Sequence, residues 1–180
     1  MTKVFVTSDL HFGHTNVIEY CPETRGMFSS AEEMNEGMIE AWNKEVSNDD
    51  TVYILGDVAF MPASNACMIL ARLNGKKILI EGNHDYRMVR DRMFRSCFQD
   101  IYKMYEFVYQ KQKIVMCHYP LAAWNQSHRG SIMLHGHLHG KPSGLEHFRI
   151  KDVGYDSTGK VVSLLDDIIA EVSNNEIIMR

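Results

Sequence analysis

Val4-Phe5-Val6-Thr7-Ser8-Asp9-Leu10-His11 couples a short β-branched and aromatic run to an acid and an imidazole. The brevity and composition of the run read as a buried strand. The same coupling recurs along the chain. Val52-Tyr53-Ile54-Leu55 leads into Gly56-Asp57, and Ile78-Leu79-Ile80 leads into Gly82-Asn83-His84-Asp85. Ile114-Val115-Met116-Cys117 is followed by His118, and Ile132-Met133-Leu134 by His135-Gly136-His137-Leu138-His139. In an open α/β sheet, ligands bind beyond the carboxyl ends of the strands. Five strand ends can therefore deliver their side chains to one place.

The stretches between these strands carry helical patterns. Ser30 and Glu33 form a capping box, followed by Met34, Met38, Ala41, Trp42 and Val46 on one face. Pro62 suits a helix start, and Asn74-Gly75 the stop after Leu73. Val89, Met93 and Cys97 suggest a third helix. Ser163 is expected to cap a fourth, striped by Leu164, Leu165, Ile168, Ile169 and Val172. Tyr102 to Tyr109 reads as one further strand, ending in Gln110-Lys111-Gln112, and Phe148 to Tyr155 as a last one. Alternating strands and helices indicate an α/β layered fold, with residues 1–180 forming a single domain.

Composition fits that class. The chain of 180 residues is 45% hydrophobic and 23% charged, which excludes a disordered tail, collagen and coiled coil. A net charge of −4 argues against coating nucleic acid by charge alone. No apolar run approaches the ~18 residues of a membrane span. Met1-Thr2-Lys3-Val4 enters the first strand without a signal-peptide core. Cys21, Cys67, Cys97 and Cys117 are widely spaced without a CxxC pair, so four reduced, mostly buried thiols in a cytoplasmic protein are expected. Histidine is abundant: nine residues, five of them between His118 and His139.

The residue types at the strand ends say what they can hold. Mixed oxygen and imidazole donors suit manganese, iron or zinc, and suit magnesium or calcium poorly. Asp9, His11, Asp57, Asn83, His118, His137 and His139 offer seven candidate ligands, enough for two metals if one carboxylate bridges. Two metals about 3.5–4 Å apart clamp the attacking and leaving oxygens in phosphoryl displacement. Glycines at 56, 82 and 136 allow sharp turns where the side chains converge. An isolated Asp-x-His or Gly-Asp occurs by chance; five such blocks, in this order and each at a strand end, do not.

As a set, Asp9-Leu10-His11, Gly56-Asp57, Gly82-Asn83-His84-Asp85, His118 and Gly136-His137-Leu138-His139 resemble the motifs of the calcineurin-like metallophosphoesterases. The resemblance spans positions 9 to 139. It implies a four-layer αββα sandwich, two packed mixed sheets flanked by helices, with two divalent ions at the strand ends, manganese favoured. Asp9, His11, Asp57 and His139 would hold one ion, and Asp57, Asn83, His118 and His137 the other, Asp57 bridging. His84 would sit near the phosphate as general acid while a metal-activated water attacks in line, with Asp85 orienting it or merely capping the turn. Protein Ser/Thr phosphatases of the superfamily carry an arginine after the second block, whereas this chain reads Gly56-Asp57-Val58-Ala59-Phe60. The repair nucleases and lipid-precursor pyrophosphatases are longer. The opening Ser8 to Asn16 resembles the small bacterial and phage-type phosphoesterases.

Weaker candidates complete the reading. His14 and Asn16 can line the substrate entrance or cap the turn after the first strand, and Arg129 is preferred to Arg25 as a phosphate contact, both arginines otherwise belonging to the solvated surface. Tyr119 and Trp124 can stack a nucleobase or pack a loop. His135 can steady a ligand or pack the core. The function expected is a phosphodiesterase acting on a small phosphoester or nucleotide, with no membrane and no protein partner evident. The diester preference rests on the lack of an arginine cluster to neutralise a dianionic monoester. Two alternatives stand beside it. One is a nuclease or cyclic-nucleotide phosphodiesterase, for which Arg87, Arg90, Arg92 and Arg95 offer a modest basic stretch. The other is a non-catalytic scaffold, which a complete ligand set disfavours.

Overall fold

Strands that are apolar on both faces must send successive side chains into two different cores. The computed structural model describes residues 2–178 and contains both cores. From β1 (Val4–Thr7), Phe5 enters the first and Val6 the second. β2 (Thr51–Ile54) divides Val52 and Ile54 from Tyr53, and β3 (Lys76–Ile80) divides Leu79 from Ile78 and Ile80. β4 (Asp100–Tyr102) extends this sheet, and β5 (Met104–Tyr109) opens another. β6 (Gln112–Cys117) and β7 (Ile132–His135) send Ile114, Met116, Ile132 and Leu134 into the same core as Val6 and Tyr53. That core therefore lies between two sheets packed face to face.

With β8 (Ile150–Asp152) and β9 (Ser163–Leu164), the orders are β4-β3-β2-β1-β9 and β5-β6-β7-β8. β1 to β4 run parallel, with β9 antiparallel on β1. β6, β7 and β8 run parallel, with β5 antiparallel on β6. Both sheets are mixed, as expected.

Helices α1 (Asn16–Tyr20) and α2 (Pro22–Arg25) follow β1. α3 (Ala31–Glu45), α4 (Ala63–Leu70) and α5 (Arg92–Ser96) supply Met34, Met38, Trp42, Ala66, Leu70 and Phe94 to the outer core of the first sheet. α6 (Tyr155–Thr158) is one turn, and α7 (Leu165–Val172) adds Leu165, Ile168 and Val172 to the inter-sheet core. Over the outer face of the second sheet, Trp124, Leu121, Leu145 and Phe148 cover Val115, Met133 and Ile150. This fourth layer is thin: its helical part near Trp124 is the 3₁₀ turn Ser127–Arg129. Among the described residues no helix is long and apolar enough to cross a membrane.

Several expectations are corrected. The run Tyr102 to Tyr109 is two strands: Tyr102 pairs with Ile80 in the first sheet, and Met104 with Cys117 in the second. The chain changes sheets at Lys103, and both halves stay apolar because each borders the inter-sheet core. Phe148 to Tyr155 shrinks to β8. Ser163 lies in β9 and caps nothing; α7 starts at Leu165 with Asp166 and Asp167 in its first turn, where they favour the positive end of the helix dipole. Asp91 accepts from Met93 and Phe94 N–H at 2.8 and 3.1 Å, so a new helix starts where Val89 to Cys97 was read as one. Ser30 Oγ does cap α3, accepting from Glu33 N–H at 3.1 Å, but the Glu33 carboxylate reaches back to Ser29 N–H. Ala41 is exposed, and Asn35 and Ile39 fill the buried face instead. The four cysteines are free, with Cys67 buried and the others half-buried.

Candidate metal centre

The parallel strands of both sheets end at the same edge of the sandwich. Past β1, Asp9 N–H donates to Gly56 O and His11 N–H to Asp57 O, both at 3.0 Å, which knits the first two loops together. Asp57 N–H, Val58 N–H and Gly82 N–H all donate to the Asp85 carboxylate at 2.8–3.0 Å. Asp85 therefore staples the second loop to the third. It is buried and its carboxylate is spent on backbone, so it does not orient His84. Burial pushes its pKa up, against the pull of the three N–H donors.

Gly56, at φ 95°, makes the turn expected of it, whereas close approach explains Gly82 and Gly136. A Cβ on Gly136 would stand 1.9 Å from Ser8 Oγ and 2.4 Å from Asp9 Oδ2; one on Gly82 would stand 2.4 Å from Asp57 Oδ1. Left-handed backbone falls also on Asp9, His11, Asp57, His137 and His139, with φ between 51° and 73°. Such conformations cost about 1 kcal/mol each or more and cluster where function requires them.

The structure brings all seven candidate ligands together. Asp9, His11 and His139 form one group whose donor atoms lie within 4.8 Å of one another; Asp57, His118 and His137 form a second. Asp57 Oδ2 links the two, 3.5 Å from His118 Nε2 and 3.8 Å from His11 Nε2. Asn83 Oδ1 lies 2.9 Å from His118 Nε2.

Hydrogen bonds fix which ring nitrogen faces inward. His118 Nδ1 meets Leu55 O at 2.6 Å and His139 Nδ1 meets Asp156 Oδ2 at 2.7 Å, so each donates outward through Nδ1. His11 Nδ1 pairs with His14 Nδ1 at 3.2 Å. Nε2 is then the inward atom of each ring: His11 and His139 Nε2 each lie 3.8 Å from Asp9 Oδ1. Asp9 Oδ1 and His11 Nε2 are buried without any hydrogen-bond partner. Buried polar atoms left without a partner are costly, and a cation among them removes the cost. The residues present fit divalent metal ions.

Electrostatics agree with neutral imidazoles. Burial pushes His11 and His137 below the ordinary histidine value, and burial together with His11 takes His14 down to about 4. His139 is the exception, raised by its bond to Asp156. Burial alone would raise Asp9, but His11, His118 and His139 outweigh it and hold its carboxyl below the usual range.

His84 stands at the rim, exposed. Its N–H donates to Asp57 Oδ1 at 2.9 Å, and its Nε2 lies 4.0 Å from Asp57 Oδ2. Phe60, which no motif flagged, stacks on His11 and His14 at 4.9 and 4.1 Å and tilts against His84 at 4.5 Å. His14 lies against His11, while Asn16 opens α1 and is exposed.

Other expectations fail here. Arg129 is exposed in the turn before β7, at the strand's amino end, whereas the cluster lies at its carboxyl end. Arg25 is not a surface residue: it is fully buried. It donates to Asp9 O and Leu10 O, and makes two bonds to Asp156 at 2.7 and 2.9 Å. Asp156, brought in by α6, thus ties Arg25 to His139; nothing in the sequence around it marked it. His135 is buried and donates through Nδ1 to Gly136 O. Trp124 is buried, its Nε1 donating to Ser131 O, and so is unavailable for stacking.

This arrangement matches known proteins across nearly the whole chain. The family model for calcineurin-like phosphoesterases matches residues 2–178. An uncharacterised protein of Methanocaldococcus jannaschii is 36% identical over 141 residues, 77% of this chain and 70% of the relative. The gene 66 protein of Mycobacterium phage L5 is 28% identical over 193 residues, 91% of each chain. A solved protein of unknown function from Aquifex aeolicus superposes with a TM-score of 0.74 at 21% identity, over 96% of this chain and 100% of that one, and so shares the fold. The chain belongs to the calcineurin-like phosphoesterase family, hydrolases that act on phosphoester bonds.

Proposed function

We propose that this phosphoesterase is a phosphodiesterase working with two divalent cations, manganese favoured, as a single cytoplasmic domain. The observation that carries the reading is the crowd of inward-facing, unpartnered polar atoms around Asp9 Oδ1 and His11 Nε2, continued through Asp57 to a second group. Asp9, His11, Asp57 and His139 would hold one ion, and Asp57, Asn83, His118 and His137 the other. Bound there, the ions supply Lewis acidity, lowering the pKa of water and neutralising charge on the phosphoryl oxygens. The free thiols support a reducing compartment.

The chain's own residues do the rest. Leu55 and Asp156 hold His118 and His139 in the tautomer whose Nε2 is free, and His14 keeps the Nε2 edge of His11 turned inward. Water oxygen bonds to phosphorus as the ester P–O bond breaks. His84 gives its proton to the departing oxygen and recovers one from the water. Its backbone bond to Asp57 places the ring beside the cluster, and Phe60 supports it.

The test varies the leaving group. His84→Ala should cost roughly 10²–10⁴-fold on an alkyl or nucleoside diester and distinctly less on a nitrophenyl diester, whose leaving group needs no proton. Metal content should stay near wild type. Equal losses on both substrates would remove His84 from the acid role, and loss of metal would remove it from this side of the site altogether.

A further inference from the structure

Exposed aromatic rings on this molecule are few and localised. Of its 8 Phe, 8 Tyr and 2 Trp residues, three are exposed: Tyr20 at 71%, Tyr86 at 45% and Tyr119 at 43%. All three border the candidate metal centre. Tyr20 packs edge-on against His14 at 6.4 Å. Tyr119 packs against His137 at 4.8 Å and His118 at 5.0 Å. Tyr86 lines, with His84, Phe60 and Met61, a cavity of about 420 Å³.

Rings left in water on three sides of a polar cluster do not form one continuous apolar patch. They suit separate flat groups better than a protein surface. Tyr86 is further set between cations: Arg87 Nε donates to its hydroxyl at 2.6 Å, and the Arg87 and Arg90 guanidinium carbons lie 5.4 and 5.9 Å from its ring centroid. Both arginines are exposed, so their charge is available to a neighbouring phosphate. A cleft that combines stacking rings with cations beside a phosphoester-cleaving cluster fits a chain of nucleotides.

We propose that the substrate is linear, single-stranded nucleic acid. One base stacks on Tyr86 on the His84 side and another on Tyr119 on the His137 side, with the scissile phosphate between them and the next phosphate near Arg87 and Arg90. A base on each side distinguishes a linear strand from a cyclic mononucleotide, which has one base. The step is the hydrolysis described above: water oxygen joins phosphorus, one P–O ester bond breaks, and the products are a free hydroxyl and a phosphomonoester. The inference rests on the phosphodiesterase reading and adds the substrate to it.

The experiment uses the full-length, manganese-loaded protein. Hydrolysis of pentathymidylate is compared with that of an abasic oligomer of the same length and charge, and with bis(4-nitrophenyl) phosphate, 3′,5′-cyclic thymidine monophosphate and a phosphotyrosyl peptide. The wild type should favour pentathymidylate over the abasic oligomer by at least about 10-fold in kcat/KM. Tyr86→Ala and Tyr119→Ala should each lower kcat/KM on pentathymidylate by roughly 5- to 150-fold, the usual range for one lost base stack. The base-to-abasic ratio should fall toward one, and Tyr86→Phe, which keeps the ring, should hold the wild-type ratio. Equal wild-type rates on the two oligomers would overturn the inference, as would alanine variants that lose equally on both. Preference for the cyclic nucleotide or the peptide would overturn it too. Cleavage of bis(4-nitrophenyl) phosphate without base preference defeats this inference alone. No cleavage of any diester defeats the phosphodiesterase reading and this inference with it.

Discussion

Asp156→Ala should separate the structural and metal-holding roles of one carboxylate. Asp156 accepts from Thr24 Oγ1, from Arg25 Nε and Nη2, and from His139 Nδ1, at 2.6–2.9 Å. Burial opposes its ionisation, but His139 and Arg25 hold its pKa well below the usual carboxylate range. Side chains of Arg25 and Asp156 are 0% and 2% exposed, so removing the acid strands a guanidinium out of reach of water. Breaking such a pair costs about 3–5 kcal/mol. At roughly 2–4 °C per kcal/mol for a chain of this size, Tm of the metal-free protein should drop by about 6–20 °C. His139 also loses the acceptor that orients its ring, which should weaken metal binding about 10–100-fold. The assay is thermal unfolding in chelator beside manganese titration at a temperature where the variant is folded. In Arg25→Met/Asp156→Ala the stranded charge is gone, so much of the Tm should return while metal affinity stays low. A metal-free Tm shift below about 2 °C for Asp156→Ala would refute the buried-pair argument; recovery of affinity in the double variant would refute the His139 argument.

Two further outcomes follow from the same geometry. Gly136→Ala places a methyl against Ser8 Oγ and Asp9 Oδ2, so manganese affinity should fall by at least 10-fold, with overpacking costing about 1–3 kcal/mol; calorimetric titration with unchanged affinity would contradict the close-packing account. In the metal-free protein the lowered histidines should contribute a loss of stability on acidification. His11, His14 and His137 have folded values below the ordinary 6.5, so the unfolded chain takes up protons that the folded chain refuses as pH falls from about 6.5 toward about 4. His139, raised by Asp156, works in the opposite sense: its contribution is complete below 6.5 and is lost as pH rises through its folded value. Asp85 and Asp152, raised by burial, work in the same sense as His139, so the histidine effect is read as a difference: His14→Gln should lose less Tm than the wild type between about pH 7 and about pH 5, and an equal loss would contradict it.

The convergence of Asp9, His11, Asp57, Asn83, His118, His137 and His139 was legible because each follows a short apolar run, and parallel strands deliver their ends to one edge. Their burial was legible too, since each run is apolar throughout and both of its faces meet a core. What the sequence hides is placement decided by tertiary structure. Asp156 rides on a one-turn helix with no periodic pattern, and its partner Arg25 belongs to a residue type that is usually solvated. Asp85 sits in a motif that suits either orienting His84 or capping backbone, and three converging N–H groups decide for the backbone. The sheet change at Lys103 shows only as a slip in alternation: Tyr105, Phe107 and Tyr109 line the inter-sheet core two apart, whereas Tyr102, stacked on Tyr105 at 4.6 Å, stands three before it. β9 is two residues long, too short for any pattern.

Metal stoichiometry tests the central claim most directly. Chelator-treated protein is titrated with manganese while bound metal is counted by calorimetry and the ions' coupling is read by electron paramagnetic resonance. Two ions per chain with a spin-coupled signal, lost in Asp57→Ala, is the result expected from two ligand groups that share Asp57. One ion per chain at saturation, or two uncoupled ions indifferent to Asp57, would contradict it.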